Sequence, residues 1–384
     1  MATSDLVSVI IDDTNLDVFQ YDALDTWDSL ATVEAFNETS HTAAHTLVNR
    51  GDVLNYVQIL FEGSALALVG NTPPPGAANA ETFSVIIDSQ SQAANSSYGD
   101  PDPPSYRQWY QSPIMAYGFH NITLVNLLGP SIDYAVISRP NDVTMLSGQT
   151  IIVDNEDPAL SYEGQAWGTS SQTYTSTAQD PKIVPYGNST HATTSVGDHF
   201  EFAFPGGSEI TIYGVLDFTR PGNLSLGFYL DNADEQRLEL VVPPGPFPIA
   251  QKANYAFYRA PQTLTRGDHT LMVTVLECSG NQTFTFDYIT YVSPPDTASV
   301  VQAPTAPSVA HALTGPIAGG VVGGVVFLLL VGLLFDCFRR RKRQTRPKFD
   351  YPFNHKVDLA NRIPLESILS PKEMIRGELD VETK

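Results

Sequence analysis

The stretch GDHFEFAFPGGSEITIYG, residues 197–214, decides the fold class of this chain. Its segments HFEFAF and EITIYG place apolar side chains at every second position, which is the period of a half-buried antiparallel strand. The Pro-Gly-Gly sequence between them is typical of a turn, so the stretch predicts a β-hairpin. A less regular copy, GDVLNYVQILFEGSALALVG, occupies residues 51–70. The second copy raises the hypothesis that a whole domain is duplicated.

Matched segments on both sides of the two hairpins support this duplication. They are residues 7–15 with 149–157, Trp27 with Trp167, 37–44 with 188–195, 83–90 with 226–233, 109–125 with 257–273, and 132–140 with 286–294. The spacing between the copies drifts, as it does when loops of a duplicated domain vary in length. We therefore predict two tandem domains, residues 1–141 and 148–295.

The fold class follows from the many short alternating segments separated by Gly, Pro, Asn and Asp, with no helical period before residue 296. This pattern predicts an all-β sandwich for each copy. The pattern G-x-x-F-x-F-x-G-x-x-I-x-I-Y-G, with a following Y-L-D segment, G-x-H-T-L and a closing F-D-Y-I, resembles galactose-binding-like jelly rolls. Residues 150–292 fit that pattern better than the first copy does.

The order of segments along the whole chain resembles single-pass surface proteins of basidiomycete fungi with tandem jelly rolls, a Ser/Thr/Pro-rich stalk, a Gly-rich helix and a basic tail. The resemblance implies a surface protein that binds glycans or other cell-wall and extracellular ligands. It implies no particular activity, because this fold also occurs in accessory modules of glycosidases and in protein contacts.

A transmembrane helix is predicted at residues 316–336. The segment IAGGVVGGVVFLLLVGLLF, residues 317–335, contains no charged side chain, and at ~1.5 Å per residue it is long enough for a hydrocarbon core of ~30 Å. The cluster RRRKR at residues 339–343 places the C-terminal side in the cytoplasm. We expect a plasma-membrane or secretory-pathway protein with its N-terminus outside.

The net charge of the chain changes from negative to positive at the predicted transmembrane helix. Residues 1–314 contain 9 Lys and Arg against 34 Asp and Glu, whereas residues 315–384 contain 12 against 8. Such an acidic ectodomain argues against nucleic acid as a partner. N-glycosylation sequons also lie only before the predicted helix, at Asn37, Asn95, Asn121, Asn188, Asn223 and Asn281.

The N-terminal segment MATSDLVSVIIDDTN has no basic region and too short an apolar run for a signal peptide. Either a leader precedes this sequence, which we favour, or the single helix acts as a signal-anchor. Cys278 and Cys337 lie on opposite sides of the predicted membrane, so we expect no disulfide between them.

Candidate ligand-binding residues are aromatic, because sugars stack on flat rings. Those near predicted strand ends and loops are Trp27, Trp109, Tyr110, Trp167 and Tyr258. For Trp27 and Trp167 a core position is favoured over a binding platform, since they recur at matched positions and Trp is usually mostly buried.

No metal or cofactor is predicted. The acidic segments at residues 12–15 and 154–157 offer oxygens to a cation, but Asp and Asn also form turns, and turns are favoured here. His41 and His45 have no third ligand nearby. No catalytic motif of a hydrolase, metalloprotease or P-loop enzyme is present, so we expect a protein that is not an enzyme.

The remaining segments connect the ectodomain to the cell. Residues 296–315 are rich in Pro, Ala, Ser and Thr and predict a stalk, and residues 337–384 predict a disordered basic cytoplasmic tail with an unknown partner. Two overlapping G-x-x-x-G motifs in the helix predict a homodimer contact through Gly319, Gly320, Gly323 and Gly324.

The sequence favours a surface protein that binds glycans or cell-wall ligands. The first alternative is a surface sensor or signalling scaffold, and the second is a wall-remodelling enzyme.

Overall fold

The computed structural model describes residues 6–22, 27–31, 35–43, 55–73, 82–92, 96–98, 104–141, 146–177, 181–207, 209–260, 264 and 266–294. The predicted stalk, transmembrane helix, glycine motifs, cytoplasmic tail and Cys337 lie outside these residues, as do His45 and the sequon at Asn95. Within the described residues, no helix is long and apolar enough to cross a membrane.

The prediction of an all-β fold is confirmed, because the described residues form strands joined by turns and two short 3-10 segments. Repeat one, as we name the described strands from Leu6 to Pro140, contains β1 (Leu6–Asp12), β2 (Phe19–Tyr21), β3 (Trp27–Ala31), β4 (Thr39–Ala43), β5 (Tyr56–Gly63), β6 (Ala65–Asn71), β7 (Thr82–Ile87), β8 (Gln90–Ser91), β9 (Ser96–Ser97), β10 (Ser105–Gln111), β11 (Gly118–Val125), β12 (Ser131–Ile132) and β13 (Tyr134–Pro140).

Repeat two follows with the same succession of main strands. It contains β14 (Thr150–Asp154), β15 (Leu160–Glu163), β16 (Gly168–Ser170), β17 (Lys182–Ile183), β18 (Thr190–Thr193), β19 (His199–Gly206), β20 (Ile210–Asp217), β21 (Gly222–Leu230), β22 (Gln236–Val242), β23 (Gln251–Arg259), β24 (Gly267–Cys278) and β25 (Phe284–Val292). The 3-10 segments, Phe36–Glu38 and Tyr186–Asn188, precede β4 and β18.

Each repeat is a sandwich of two antiparallel sheets. In repeat two, one sheet has the order β15-β19-β24-β21-β22, and the opposite sheet contains β18, β25, β20 and β23 as neighbours. Consecutive strands from β18 to β25 alternate between the sheets, except that β21 and β22 are neighbours in one sheet. This succession is jelly-roll order. Repeat one has the corresponding order β2-β5-β11-β7-β8 in one sheet, with β6 between β10 and β13 in the other.

The expected hairpins at 197–214 and 51–70 are not hydrogen-bonded hairpins. Strand β19 pairs with β15 and β24, whereas β20 pairs with β23 and β25 in the opposite sheet. The two strands face each other across the core: Phe200, Phe202 and Phe204 of β19 point inward from one side, and β20 closes the other side. The turn thus crosses from sheet to sheet, because each strand buries its apolar face against the same core.

The two repeats share a sheet and a core. Strand β1 pairs with β14 through Ser8 with Ile152 and Val9 with Ile151, so their sheets join in one 11-stranded sheet. Strand β17 adds in parallel to β10. Besides one core in each repeat, a third cluster of buried side chains combines residues from both repeats, and the described residues belong to one compact unit.

Candidate functional site

Three of the five aromatic candidates are buried. Trp109 is 4% exposed, and its indole N–H donates to the Ser131 carbonyl oxygen at 2.9 Å. Tyr110 lies in the same core, and Tyr258 stacks on Phe228 with 4.5 Å between ring centroids. These rings present no face to solvent, because the sandwich closes over them.

Trp27 and Trp167 occupy corresponding places, each half-buried against the core of its own repeat. The Trp27 indole N–H donates to the Tyr56 carbonyl oxygen at 3.1 Å, and that of Trp167 lies 3.2 Å from the carbonyl oxygens of Glu163 and His199. Both indole donors therefore have partners within the fold, as the favoured core interpretation requires. Ligand contact by any of the five candidates stays a prediction.

Each tryptophan belongs to a group of aromatic rings that is present in both repeats, in which the tyrosine stacks on a histidine and the tryptophan meets the tyrosine at an angle. Tyr21 lies between Trp27 and His41, with centroid distances of 4.8 and 4.4 Å. In repeat two, Tyr162 lies between Trp167 and His191, at 5.0 and 4.2 Å. Each histidine Nδ1 also contacts the residue after the first strand, Asp13 at 2.5 Å or Asn155 at 2.8 Å. These contacts join β4 or β18, which carries the histidine, to the residue after the first strand of the repeat.

The acidic segments after β1 and β14 form turns. The Asp12 side chain accepts the Thr14 backbone N–H at 3.0 Å, and the Asp154 side chain accepts that of Glu156 at 2.9 Å. Both are hydrogen bonds between residues i and i+2, typical of Asx turns. Among the described residues, no group of three or more His, Cys, Asp and Glu side chains could hold a metal ion.

An Asp–His pair lies at one end of each sandwich, and sequence analysis did not identify it as part of a site. Asp88 Oδ2 lies 2.8 Å from His120 Nδ1, and Asp231 Oδ2 lies 2.5 Å from His269 Nδ1. Each carboxylate also accepts the backbone N–H of the residue after the histidine at 2.9 Å. The signal was present in the matched segments 83–90 with 226–233 and 109–125 with 257–273.

In repeat one, the two members of the Asp–His pair shift each other's pKa. The Asn121 N–H and the His120 side chain lower the pKa of Asp88, outweighing slight burial. Burial lowers the pKa of His120, but hydrogen bonds to the Ala116 carbonyl and Asp88 outweigh it, and the net shift is upward. The pair therefore favours a carboxylate beside a protonated imidazole.

A cleft of about 650 Å³ opens beside the Asp88–His120 pair. Phe119 lies on it and is 83% exposed. Its charged and titratable lining comprises Asp17, Glu62, Asp88, His120 and Arg139, and its apolar lining includes Leu60 and Val18. Arg139 is held in place because its Nε donates to the Glu62 carbonyl oxygen at 2.8 Å. We call this the first-repeat cleft.

The chemistry of the first-repeat cleft suits a hydroxyl-rich ligand. An exposed ring offers a flat apolar face, while carboxylates accept and a guanidinium donates hydrogen bonds. The volume lies within the range of small-molecule sites. Phe119 is exposed and does not contribute to the core, so its ring is available to a ligand at the cleft.

Repeat two lacks this ring. In repeat one, Phe119 lies opposite Glu62 in the register of β11 and β5. The corresponding pair in repeat two, read from the register of β24 and β19, is Asp268 opposite Pro205. The repeats thus keep the Asp–His pair but differ at the residues that face outward beside it.

The described sequons lie at the surface to different extents. Asn37, Asn188 and Asn281 are exposed, and Asn121 and Asn223 are half-buried. Asn121 also lines the first-repeat cleft.

Comparisons with known proteins add one family model. The model of the epidermal growth factor receptor transmembrane-juxtamembrane segment matches residues 317–348, a small part of the chain outside the described residues. A search of curated proteins found no match.

Similar solved structures include a xanthan lyase and two carbohydrate-binding modules. The Paenibacillus xanthan lyase is 12% identical, with 73% of this chain and 26% of the lyase covered, at a TM-score of 0.26. The CBM36-1 domain of a xylanase from the hindgut metagenome of Trinervitermes trinervoides is 13% identical, with 37% and 94% covered, at a TM-score of 0.23. The module CBM6cm-2 of Cellvibrio mixtus lichenase 5A, in complex with cellotriose, is 18% identical, with 36% and 93% covered, at a TM-score of 0.21.

This chain therefore spans about a quarter of the lyase, and it covers 39% of a two-domain esterase active on acetylated mannans. Likeness at these identities and scores assigns no activity to this chain.

Proposed function

We propose that this protein is a single-pass cell-surface protein whose ectodomain binds glycans in the first-repeat cleft. The observation that carries the binding proposal is Phe119, 83% exposed beside the hydrogen-bonding groups of Glu62 and Arg139. A sugar could stack on this exposed ring while its hydroxyls bond to the neighbouring polar groups.

The proposed membrane attachment has separate support. Residues 317–335 are uncharged and long enough to span a bilayer, and the basic cluster 339–343 follows them. The matched family model describes a transmembrane-juxtamembrane segment over residues 317–348. In this proposal the sandwiches face outward and the tail lies inside. Membership of the fungal surface-protein family, dimerisation through the glycines and a cytoplasmic partner stay predictions.

Binding is proposed rather than catalysis. The sequence carries no catalytic motif, and the cleft pairs an exposed ring with groups that hydrogen-bond hydroxyls. Such a site can orient a sugar by ring contact and hydrogen bonds alone.

A glycan array probed with the full chain tests this proposal. The parent is compared with Phe119→Ala and with Asp268→Ala, which removes the side chain at the corresponding position of repeat two. We expect the parent and Asp268→Ala to bind the same glycans and Phe119→Ala to lose signal at least about tenfold. Absence of any specific binding by the parent, or equal binding by Phe119→Ala, would reject the proposal.

A further inference from the structure

A polar groove lies where the two repeats meet. The segment from Ala35 to Glu38 of repeat one lies against β20 and β23 of repeat two and leaves a groove of about 460 Å³. A smaller cavity of about 130 Å³ shares Asn37, Tyr213 and Arg259 with it. Asn37 therefore borders both spaces, and we call them together the inter-repeat groove.

The segment that carries Asn37 is fixed on both sides of that residue. Phe36 is buried, with its ring centroid 5.7 Å from Tyr134 and 5.8 Å from Tyr213 of the other repeat. Glu38 Oε1 lies 3.9 Å from Lys252 Nζ. Because its neighbours contact repeat two, Asn37 has a defined place at the edge of the groove.

The groove presents donors and a ring. Lys252, with 26% of its side chain exposed, lies 6.0 Å from the centroid of Tyr255, and Arg259 has 60% of its side chain exposed. Arg259 Nε also contacts Glu209 Oε1 at 3.2 Å. Residues 1–314 contain only 9 Lys and Arg, and two of them line this groove. Ammonium, guanidinium and tyrosine groups suit the hydroxyl and acetamido oxygens of an oligosaccharide.

Asn37 is the first residue of the sequon Asn-Glu-Thr, and it is exposed. Its Nδ2 donates to Asp12 Oδ2 at 2.8 Å. An asparagine amide has two N–H groups, so a glycosylated amide keeps one to make this bond. Attachment of a glycan is therefore compatible with the observed side-chain position, and the first sugar would begin at the edge of the groove.

We propose that an N-linked oligosaccharide on Asn37 occupies the inter-repeat groove and contacts both repeats. The inference rests on the outward orientation in the proposed function but not on ligand binding in the first-repeat cleft. Lys252 and Arg259 hold the proximal sugars through hydrogen bonds. Asn188 provides the contrast, because it is exposed on the corresponding turn of repeat two and lines neither part of this groove.

The test is site-resolved deglycosylation of the folded full chain, produced in a eukaryotic secretory host. Mass spectrometry first measures occupancy at Asn37 and Asn188, and a peptide N-glycosidase is then added to native protein. We expect release at Asn37 to be at least about tenfold slower than at Asn188, with equal rates after denaturation. Lys252→Ala combined with Arg259→Ala should raise the Asn37 rate to that of Asn188.

The matched control is Arg237→Ala, which removes a surface cation from β22, away from the groove. It should leave the Asn37 rate unchanged, and melting temperatures show whether each variant is folded. The inference would be overturned if Asn188 carries a glycan and Asn37 does not, or if the enzyme releases both glycans from the native protein at the same rate. Neither result would affect the proposed function. A protein glycosylated at no sequon would overturn the proposed orientation as well.

Discussion

Asp12 and Asp154 occupy the same position at the end of the first strand of each repeat, yet their carboxylates differ. Asp12 Oδ2 accepts a hydrogen bond from Asn37, whereas Asp154 Oδ2 is buried and has no hydrogen-bond partner among the described residues. Gly187 lies beside it with φ of +63°, and a Cβ there would collide with the Asp154 carboxylate. Burial, reinforced by the charges of Glu156 and Asp157, raises the pKa of Asp154 to about 6.

This shift predicts a pH-dependent stability. The folded-state pKa exceeds the unfolded value of 3.8, so the stabilisation by protonated Asp154 is complete below about pH 4 and is lost as pH rises through about 6. The difference between the folded and unfolded pKa of Asp154 corresponds to roughly 3 kcal/mol at most. Asp154→Asn, which keeps an acceptor for the Glu156 N–H, should flatten the dependence between pH 4 and 7. Denaturant unfolding at several pH values measures it, and identical profiles for parent and variant would contradict the assignment.

At the scale of elements, β1 belongs to the cores of both repeats. Val9 is fully buried in the core of repeat two, although it lies in the first strand of repeat one. Its strand also pairs with β14 at Ser8 and Val9. Repeat two therefore depends on residues that precede it by more than a hundred positions.

Val9→Ala should lower the free energy of unfolding by roughly 2 kcal/mol, because it leaves a cavity in the core of repeat two. Hydrogen exchange should show the loss of protection in β14 and β25. Leu6→Ala is the matched control, since Leu6 lies on the same strand and is 42% exposed, and it should change stability by less than about 0.5 kcal/mol. Equal effects of the two variants would contradict the shared core.

The sequence predicts individual strands better than their partners. Alternation marked β19 correctly because its outward face is solvated, and the matched segments fall in corresponding strands of the two repeats. The sequence did not predict that the chain passes from one sheet to the other between β19 and β20. The alternation of apolar residues shows which side chains are buried, but it does not show which strand is the hydrogen-bonded neighbour. Strand β17 has two residues and no period to detect, so its pairing with β10 leaves no sequence signal.

The site shows the same limit. Proximity to strand ends did not distinguish Trp109, which points into the core, from Phe119, which points outward. The outward direction of Phe119 follows from the alternation along β11. Ile122 and Leu124 are buried, and Phe119 lies an odd number of residues from each, so it faces the other side of the strand.

At the scale of the whole molecule, the repeats are joined through a polar network within an apolar interface. The Tyr106 hydroxyl donates to Asp133, and Asn254 of repeat two donates to the Tyr106 hydroxyl at 3.3 Å. The Tyr288 hydroxyl donates to Asn254 at 3.0 Å. Burial raises the pKa of Asp133 and of its counterpart Asp287 well above the usual range. Burial therefore favours the protonated form of both carboxyls, and the stabilisation that protonation contributes where the repeats meet decreases as pH rises.

The shared sheet and third cluster predict that the repeats unfold together. Differential scanning calorimetry of the full chain should show a single transition for residues 6–294. Val69→Asp places a charge in the cluster between the repeats, where Val69 is 4% exposed, and should lower the transition temperature and split the transition in two. Two separate transitions in the parent protein would show that the repeats are energetically independent.

Glycan binding in the first-repeat cleft is tested most directly by measuring the affinity of the protein for a glycan. Isothermal titration of the oligosaccharide that binds best on the array into the full chain gives Kd for the parent, Phe119→Ala and Asp268→Ala. We predict a Kd at least about tenfold higher for Phe119→Ala, a loss of ~1.4 kcal/mol, with the melting temperature unchanged because the ring is exposed. Asp268→Ala should bind as the parent does. An unchanged Kd for Phe119→Ala would contradict the assignment of binding to this cleft.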